Sequence, residues 1–391
     1  MNESAKFHSG RHFLQIPGPS NVPDRVLRAM AQPVIDHRGP EFPALTLPLL
    51  EKLAKVFATA SPVFIYPASG TGGWECALLN ALSPGDRVLA CETGHFATLW
   101  KNVADKLGLD VQWLEGDWRH GVDPERVEAA LKEDTGHRIK AVLAVHTETS
   151  TGVTSRIPLL RQAIDNAGHP ALFMVDAVSS LACSEFRHDD WQVDITVSAS
   201  QKGLMLPPGL AFNAVSAKAL QAAEASASAH SYWRWDAMLS NNRNGYFPYT
   251  PATNLLYGLD VALDLLLEEG LKNVIARHSR LAEATRQAVA AWGLENVCLD
   301  PAEYCNSTTA VMVPDGCDAD ALRQVILERF NMSLGTGLGK LKGKIFRIGH
   351  LGDFNELMLA GTLSGVEMGL GLAGIPHSKG GVTAALEYLG A

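Results

Sequence analysis

Seven short apolar runs, separated by helix-like segments or by a loop, constrain the fold of this chain more than any other feature. The runs are VFIYPAS (63–69), RVLACET (87–93), VQWLEG (111–116), IKAVLAVHTE (139–148), ALFMVDA (171–177), DITVSAS (194–200) and LAFNAVS (210–216). Short apolar strands that alternate with helices are typical of a largely parallel sheet covered on both faces. The sequence therefore predicts an α/β fold with a seven-stranded, mostly parallel sheet. Only a proline-containing loop separates the last two runs, so we expect a hairpin or a longer loop there.

The chain has 391 residues, more than a single hydrophobic core usually supports. After the seven runs, a long helical pattern leads to a strand (TTAVMVP), a helix, a glycine-rich loop, a second strand (IFRIG) and a last helix. We therefore expect three parts: an N-terminal arm over residues 1–24, a large domain over 25–274 and a smaller C-terminal α/β domain over 275–391.

Charge and composition exclude several classes of partner. The formal net charge is −9, from 33 basic and 42 acidic residues, which argues against binding to nucleic acid or to an anionic membrane. The chain has no apolar stretch long enough to span a bilayer and no secretory signal pattern at its start. Its six cysteines are scattered, as expected for free thiols in a reducing compartment. We expect a cytoplasmic protein.

Residues that follow the predicted strands are the candidates for a functional site, because ligands of open α/β sheets bind at the carboxyl ends of the strands. These residues are Ser69, Gly70, Thr71, Phe96, Glu148, Thr149, Asp176, Gln201 and Lys202. Backbone N–H groups in the loop 69–73 suit a phosphate, although an ordinary strand-to-helix turn explains the same sequence. The loop matches neither a P-loop nor a dinucleotide fingerprint. His146 and Glu148 share a strand face, but two ligands are too few to predict a metal site.

Lys202 is the only charged residue between Ile195 and Ala217. Burial lowers the pKa of a lysine, and the neutral amine is a nucleophile that forms an imine with an aldehyde. Taken singly, Lys202 is also explained by a structural hydrogen bond, and Asp176 by a helix cap or a buried ion pair. Together, however, a reactive lysine, a carboxylate, an aromatic ring and a phosphate loop are the parts that a pyridoxal 5'-phosphate site requires.

The motifs SGTGGWE, HTETSTGV, MVDAVSS, SASQKGL and FRIGHLGD, in this order, resemble those of the class V, fold-type-I pyridoxal-phosphate aminotransferases. The serine–glyoxylate and alanine–glyoxylate aminotransferases are the most similar members. The resemblance extends from PGPSNVP near the N-terminus to FRIGHLGD at 346–353. It implies the fold of that family, pyridoxal phosphate as cofactor, and ping-pong transfer of an amino group from a small L-amino acid to glyoxylate, which gives glycine and a 2-oxo acid.

The resemblance also implies roles around the cofactor ring. Lys202 would carry the internal aldimine and move the substrate proton, and Asp176 would keep the pyridine nitrogen protonated. Phe96 would stack on the ring, where the family often has tryptophan, and Thr149 would bind the ring substituents.

Further roles concern the phosphate and the substrate. Ser69, Gly70, Thr71 and Gln201 would bind the phosphate. Arg347 would hold the substrate α-carboxylate through a bidentate pair, a geometry that lysine does not reproduce.

The family is dimeric, and a tyrosine and a threonine of the partner subunit contact each phosphate. In GYFPYTP we assign these roles to Tyr249 and Thr250, with Tyr246 as a competing choice because the spacing departs from the family pattern. His37 and Arg38 occupy positions where family members approach the distal end of the substrate, and a structural role in the substrate-access loop explains them equally well.

Serine is the favoured amino donor, with alanine and aspartate as alternatives. Aspartate would require a second cation, for which Arg38, Lys340 and Lys342 are available. The basic glycine-rich loop 335–344 is interpreted as a lid rather than as a second phosphate site. A cysteine desulfurase-like lyase is disfavoured because Gln201 replaces the usual histidine before the lysine. A nicotinamide-dependent dehydrogenase is disfavoured by the missing fingerprint, and a non-catalytic scaffold would not need Lys202, Asp176 and Arg347 together.

Overall fold

The computed structural model describes residues 9–391. The first eight residues of the predicted N-terminal arm lie outside this range. The strands are β1 (Phe13–Gln15), β2 (Val63–Ala68), β3 (Arg87–Cys91), β4 (Asp110–Leu114), β5 (Ile139–Val145), β6 (Thr147–Glu148), β7 (Val153–Thr154), β8 (Leu172–Asp176), β9 (Ile195–Ala199), β10 (Gly209–Val215), β11 (Glu295–Asn296), β12 (Thr308–Met312), β13 (Met332–Thr336) and β14 (Ile345–Gly349).

The helices connect and cover these strands. They are α1 (Asp24–Met30), α2 (Glu41–Phe57), α3 (Gly70–Ala81), α4 (His95–Lys106), α5 (Pro124–Glu133), α6 (Ile157–Asn166), α7 (Ala217–Ala225), α8 (Trp235–Asn242), α9 (Thr253–Glu269), α10 (Leu271–Ala291), α11 (Ala319–Phe330), α12 (Glu356–Leu372) and α13 (Gly381–Gly390).

All seven predicted runs form strands of one sheet, in the order β2-β10-β9-β8-β5-β3-β4. Neighbouring strands from β9 to β4 are parallel, whereas β10 is antiparallel to both β9 and β2. The last two runs are therefore antiparallel neighbours joined as in a hairpin. A hairpin was one of the two connections expected there, the other being a longer loop. The mostly parallel seven-stranded sheet is confirmed.

One predicted strand is shorter than expected. The run 139–148 was predicted as one strand, but β5 ends at Val145 and Thr147–Glu148 pair instead with Val153–Thr154 in a small hairpin. The hairpin moves residues 147–149 out of the large sheet. Periodicity does not reveal this change because no glycine or proline marks the end of β5, and the polar Thr147 and Glu148 are as buried as the strand before them.

Within the described residues, four of the thirteen α-helices begin with a local side-chain cap. Asp123, Ser216, Asp318 and Asn355 each accept a hydrogen bond from a backbone N–H group in the first turn of the following helix. By contrast, α3 and α4 follow Ser69 and Gly94 and have no such local cap. Both of these helices follow strands of the large sheet.

A second sheet lies in the C-terminal part, in the order β1-β13-β14-β12-β11. Its edge strand β1 comes from the predicted N-terminal arm and runs parallel to β13, with Phe13 opposite Met332. Two large apolar cores accompany the two sheets, and α10 contributes Val274 to the first and Leu281 to the second. The domain boundary at residues 274 and 275 stays a prediction.

Within residues 9–391, none of the helices combines the length and the apolar character that a bilayer crossing requires. The same residues contain no cluster of three or more potential metal ligands. The six cysteines are free thiols, and five of them are buried.

Candidate active site

The predicted site residues collect at one edge of the large sheet. Strands β5 and β8 end side by side, with Val145 opposite Asp176, and Asp176 is also opposite Val197 of β9. The chain then leaves β9 toward Lys202, and β2 leads directly into α3. Because six of the seven strands point the same way, their carboxyl ends bring residues from distant parts of the sequence together.

A cavity of about 230 Å³ lies at this edge. Its lining residues include Ser69, Gly70, Thr71, Phe96, Thr149, Asp176, Gln201 and Lys202, all of them predicted site residues. A wider depression of about 550 Å³, lined by residues between Cys91 and Arg126, contains none of the predicted site residues. The narrow cavity is therefore the candidate active site.

Lys202 is almost completely buried, and its Nζ donates a hydrogen bond to the carbonyl oxygen of Pro17. Burial, followed by the nearby positive charge of Arg347, lowers the pKa of the Lys202 amine to about 8. Ser20 fixes the backbone on this segment, since its N–H donates to the Gln201 carbonyl and its hydroxyl to the Lys202 carbonyl, each at 3.0 Å. The amine is thus held in place and loses its proton more readily than that of an ordinary lysine.

Gly18 allows the N-terminal segment to lie against this lysine. Its φ is +101°, and a Cβ atom built there would lie 2.5 Å from Cδ and 2.7 Å from Nζ of Lys202. Contacts this short force one of the two groups to move.

We expect Gly18→Ala to weaken cofactor binding at least about tenfold, because the new methyl group displaces the Lys202 side chain. The matched control is Gly10→Ala, at a φ of +84° with no atom within 4 Å of the added Cβ. Both variants incur the backbone cost of a left-handed alanine, about 1–2 kcal/mol, so cofactor titration and thermal melting together separate strain from displacement. Equal cofactor affinity in the two variants would show that the contact with Lys202 is unimportant.

Asp176 is the buried carboxylate of the cavity. Its Oδ2 accepts a hydrogen bond from Trp74 Nε1 at 2.9 Å, and its Oδ1 accepts one from the Val178 N–H at 2.7 Å. Burial raises the pKa of the Asp176 carboxyl to about 7, although both hydrogen bonds oppose the rise. A positively charged partner in the cavity would offset the cost of burying this charge.

The start of α3 also lines the cavity, through Gly70 and Thr71. The first hydrogen bond within this helix joins the Gly73 N–H to the Ser69 carbonyl at 3.1 Å, so the preceding N–H groups point out of the helix end. Such a helix N-terminus attracts anions. Among the described residues, the buried Oε1 of Gln201 also has no hydrogen-bond partner. The unbonded N–H groups at the helix start suit a phosphate ligand, whereas Gln201 would bind one through its side-chain NH2 group because its Oε1 is an acceptor.

Thr149 connects the cavity to Arg347. Its hydroxyl is hydrogen-bonded to Ser179, and its carbonyl accepts a 2.8 Å hydrogen bond from Arg347 Nη1. Arg347 Nε donates to the Thr336 carbonyl, also at 2.8 Å. Burial lowers the pKa of the Arg347 guanidinium to about 10, so it remains charged at neutral pH. Arg347 is not part of the cavity wall itself, but its charge acts on Lys202 from close by.

Besides Arg347, four other predicted residues do not line this cavity. Tyr249 donates a hydrogen bond to the Ile65 carbonyl at 3.3 Å and stacks on Tyr232 with 4.6 Å between ring centroids, and Thr250 is exposed. Arg38 is exposed, and His37 is half-buried. The roles assigned to Tyr249 and Thr250 stay predictions.

Sequence reasoning missed two contacts of the site. Trp74 was not assigned a role, although it lies four residues after Gly70 and therefore on the same face of α3. The hydrogen bond from Lys202 to the Pro17 carbonyl could not be predicted from the sequence, because every residue has a backbone carbonyl.

The cavity fits pyridoxal phosphate on its own features. A dry cavity of about 150 Å³ holds benzene, so about 230 Å³ accommodates one substituted aromatic ring. At its walls are a buried carboxyl with a raised pKa, an amine with a lowered one and a helix N-terminus suited to phosphate. Fold and site together define a pyridoxal-phosphate-dependent transferase of fold type I.

Comparison with known proteins agrees with this class. The family model "Aminotransferase class-V" matches residues 12–340. The chain is 51% identical to a serine–glyoxylate aminotransferase of Methylorubrum extorquens, covering 97% of this chain and 96% of that protein. It is 46% identical to an L-aspartate–glyoxylate aminotransferase of Paracoccus denitrificans, covering 95% of each. The crystal structure of the Bacillus subtilis ureidoglycine–glyoxylate aminotransferase superimposes with a TM-score of 0.91 at 28% identity, covering 99% of this chain and 100% of that one.

This chain belongs to the class V aminotransferase family. The resemblance that the five sequence motifs indicated is thereby confirmed.

Proposed function

We propose that the protein transfers an amino group from a small L-amino acid, with serine favoured, to glyoxylate in two ping-pong half-reactions. The observation that carries the proposal is the buried pair of Lys202 and Asp176 on one cavity wall. Relatives that cover nearly the whole chain are named for glyoxylate as a substrate, with serine or aspartate as the partner.

Each half-reaction assigns a task to residues of this chain. When bound, pyridoxal phosphate would supply an aldehyde for the amino group and an electron sink for the substrate α-carbon. Lys202 Nζ would hold the aldehyde before substrate arrives and would then accept the α-proton. Asp176 holds a proton at the pyridine nitrogen, and Trp74 and Val178 fix the carboxylate for this task.

The remaining residues bind and orient. Phe96 would cover one face of the ring, and Thr149 would contact its substituents. Ser69, Gly70, Thr71 and Gln201 would bind the phosphate at the start of α3, where N–H groups and a partial positive charge are available.

Arg347 binds the substrate α-carboxylate, and its two carbonyl contacts set the direction of the guanidinium. We expect Arg347→Lys to raise the KM for the amino donor about 10- to 100-fold, because a lysine replaces the bidentate pair with a single point contact. Steady-state kinetics and cofactor titration measure the two effects separately, with Arg286→Lys as a control on a partly buried arginine of the small domain. An equal loss of cofactor affinity in Arg347→Lys would remove Arg347 from this role.

Capture of the cofactor gives a pH prediction. Only the neutral amine attacks an aldehyde, and a pKa of about 8 means that the neutral fraction rises with pH and levels off above 8. The rate at which the apoprotein acquires its visible absorbance should therefore be half-maximal near pH 8. It should fall about tenfold per pH unit well below that value. A midpoint near the ordinary lysine value of 10.5 would contradict the burial effect.

Serine is favoured over aspartate on the charges around the site. Lys340, one candidate for binding a distal carboxylate, forms an ion pair with Glu92 at 2.7 Å and lies 5.0 Å from the centre of the Trp118 ring. Arg38 and Lys342 are exposed. A small hydroxyl group needs no such cation.

The test is a panel of amino donors with glyoxylate as acceptor. We expect kcat/KM for serine to exceed that for alanine and for aspartate. A higher value for aspartate would identify an aspartate–glyoxylate enzyme, and the absence of any amino transfer to glyoxylate would refute the proposed function.

We further propose that the protein is a cytoplasmic homodimer in which Tyr249 and Thr250 of one subunit reach the phosphate of the other. Light scattering tests the dimer. If the assignment is right, Tyr249→Phe weakens cofactor affinity more than Tyr246→Phe does.

A further inference from the structure

Glu148 is a buried acidic residue next to a residue that lines the cavity. Glu148 is fully buried, and it ends the short strand β6 directly before Thr149. Its four hydrogen-bond donors are all uncharged: the N–H groups of Phe96 (3.2 Å), Ala97 (3.0 Å) and Ser150 (3.0 Å), and the Ser150 hydroxyl (2.6 Å). A buried carboxylate is costly unless it is satisfied in this way, so its presence calls for an explanation.

Two of these donors belong to the first turn of α4. This helix has no cap of its own, because the preceding residue is Gly94. The His95 N–H donates to the Ser150 hydroxyl at 2.9 Å, so Glu148 and Ser150 together satisfy three consecutive N–H groups at the helix start. The helix is thus capped by residues about fifty positions away in the sequence, and its dipole stabilises the carboxylate.

Gly94 shows how closely the two segments approach. A Cβ atom there would lie 2.5 Å from Glu148 Cγ and 2.5 Å from Ser150 Oγ. A side chain at position 94 would provide a local cap only by pushing the distant one away. The sequence therefore favours the distant cap over the local one.

One of the three capped residues, Phe96, lines the cavity wall, and so does Thr149, the next residue after Glu148. The carbonyl of Thr149 holds Arg347 Nη1. A single carboxylate thus connects the segment of the ring-stacking residue with the segment that directs the substrate-binding arginine.

We propose that Glu148 is a positioning residue, which fixes Phe96 and Thr149 relative to each other and thereby sets the orientation of the bound cofactor ring and of Arg347. This inference rests on the proposed function, because it assumes that the cavity holds pyridoxal phosphate. Glu148 touches neither cofactor nor substrate in this role.

The test compares two isosteric variants of the holoenzyme. In Glu148→Gln, one carboxylate oxygen becomes an NH2 group. This NH2 group donates hydrogen bonds and therefore faces N–H or O–H groups that also donate. The control is Glu303→Gln, which alters a buried glutamate that accepts from the Gly121 N–H at 2.6 Å and lies outside the cavity. Melting temperature, visible circular dichroism of the bound cofactor, cofactor dissociation constant and donor KM are measured for both.

We expect Glu148→Gln to reduce the visible circular dichroism at least twofold, to weaken cofactor binding about tenfold and to raise the donor KM. Glu303→Gln should leave these three quantities within twofold of the wild type, whatever its melting temperature. Wild-type values in Glu148→Gln, or equal changes in both variants, would overturn the inference.

If Glu148→Gln does not fold, Ser150→Ala takes its place, since it removes part of the same cap without altering a buried charge. It should shift the circular dichroism and the dissociation constant in the same direction by at least twofold, and wild-type values would overturn the inference. Failure of the wild-type protein to bind pyridoxal phosphate would refute the proposed function itself. Wild-type values of the measured quantities in the variants would refute only the positioning role of Glu148.

Discussion

Lys202→Ala is expected to reduce amino transfer by at least about a thousandfold, because it removes both the group that holds the aldehyde and the group that moves the α-proton. Borohydride reduction followed by intact-protein mass spectrometry gives a direct measurement. The wild type should gain the mass of the reduced cofactor, and the variant should not. The Lys202 side chain has the properties that such a linkage needs, namely burial, a fixed backbone and a lowered pKa.

The control for this experiment is Lys55→Ala, on the exposed surface of α2. It should retain both activity and covalent cofactor attachment. Stoichiometric attachment in Lys202→Ala would mean that another lysine carries the cofactor, and the assignment would be wrong.

Asp176→Asn is expected to lower the rate of the serine half-reaction by about 10²- to 10⁴-fold while the cofactor still binds. The amide keeps the size of the carboxylate and one of its two acceptor positions, so Trp74 and Val178 retain part of their hydrogen bonding. It does not supply the negative charge that keeps a proton on the ring nitrogen. Single-turnover absorbance changes after mixing with serine measure the rate.

Asp194→Asn is the matched control. Asp194 is also buried and accepts a backbone hydrogen bond, from the Phe173 N–H at 2.8 Å, but it precedes β9 and therefore lies at the other end of that strand. Asp194→Asn should change the stability of the protein but not the rate of the serine half-reaction. A rate in Asp176→Asn within threefold of the wild type would remove Asp176 from its assigned role.

Local sequence patterns predicted the large sheet well because its strands are short, apolar and bounded by turns or helices. Six of the seven runs correspond to observed strands with ends displaced by at most two residues, and the exception is the run 139–148, where a hairpin follows β5. The position of the site also followed from a local rule, since parallel strands bring their carboxyl ends to one edge.

Partners that are distant in sequence were beyond the reach of those patterns. The pairing of β1 with β13 depends on a contact between residues 13–15 and 332–334, and three-residue strands have no clear periodicity. The distant cap of α4 was missed for a related reason. Gly94 indicates only the absence of a local cap, and Glu148 resembles any polar residue after a strand. Long-range contacts of this kind require the folded chain.

The pairing of β1 with β13 has a consequence for how the protein is made. The Pro17 carbonyl that holds Lys202 lies two residues after β1, whose hydrogen-bonding partner is β13. During vectorial synthesis the ribosome needs on the order of half a minute to travel from β1 to β13, at about 5–20 residues per second. Until β13 has been synthesised, β1 has no partner strand. The contact between Lys202 and the Pro17 carbonyl therefore forms late in synthesis. A chain released before β13 is made would lack the β1–β13 pairing that supports this contact.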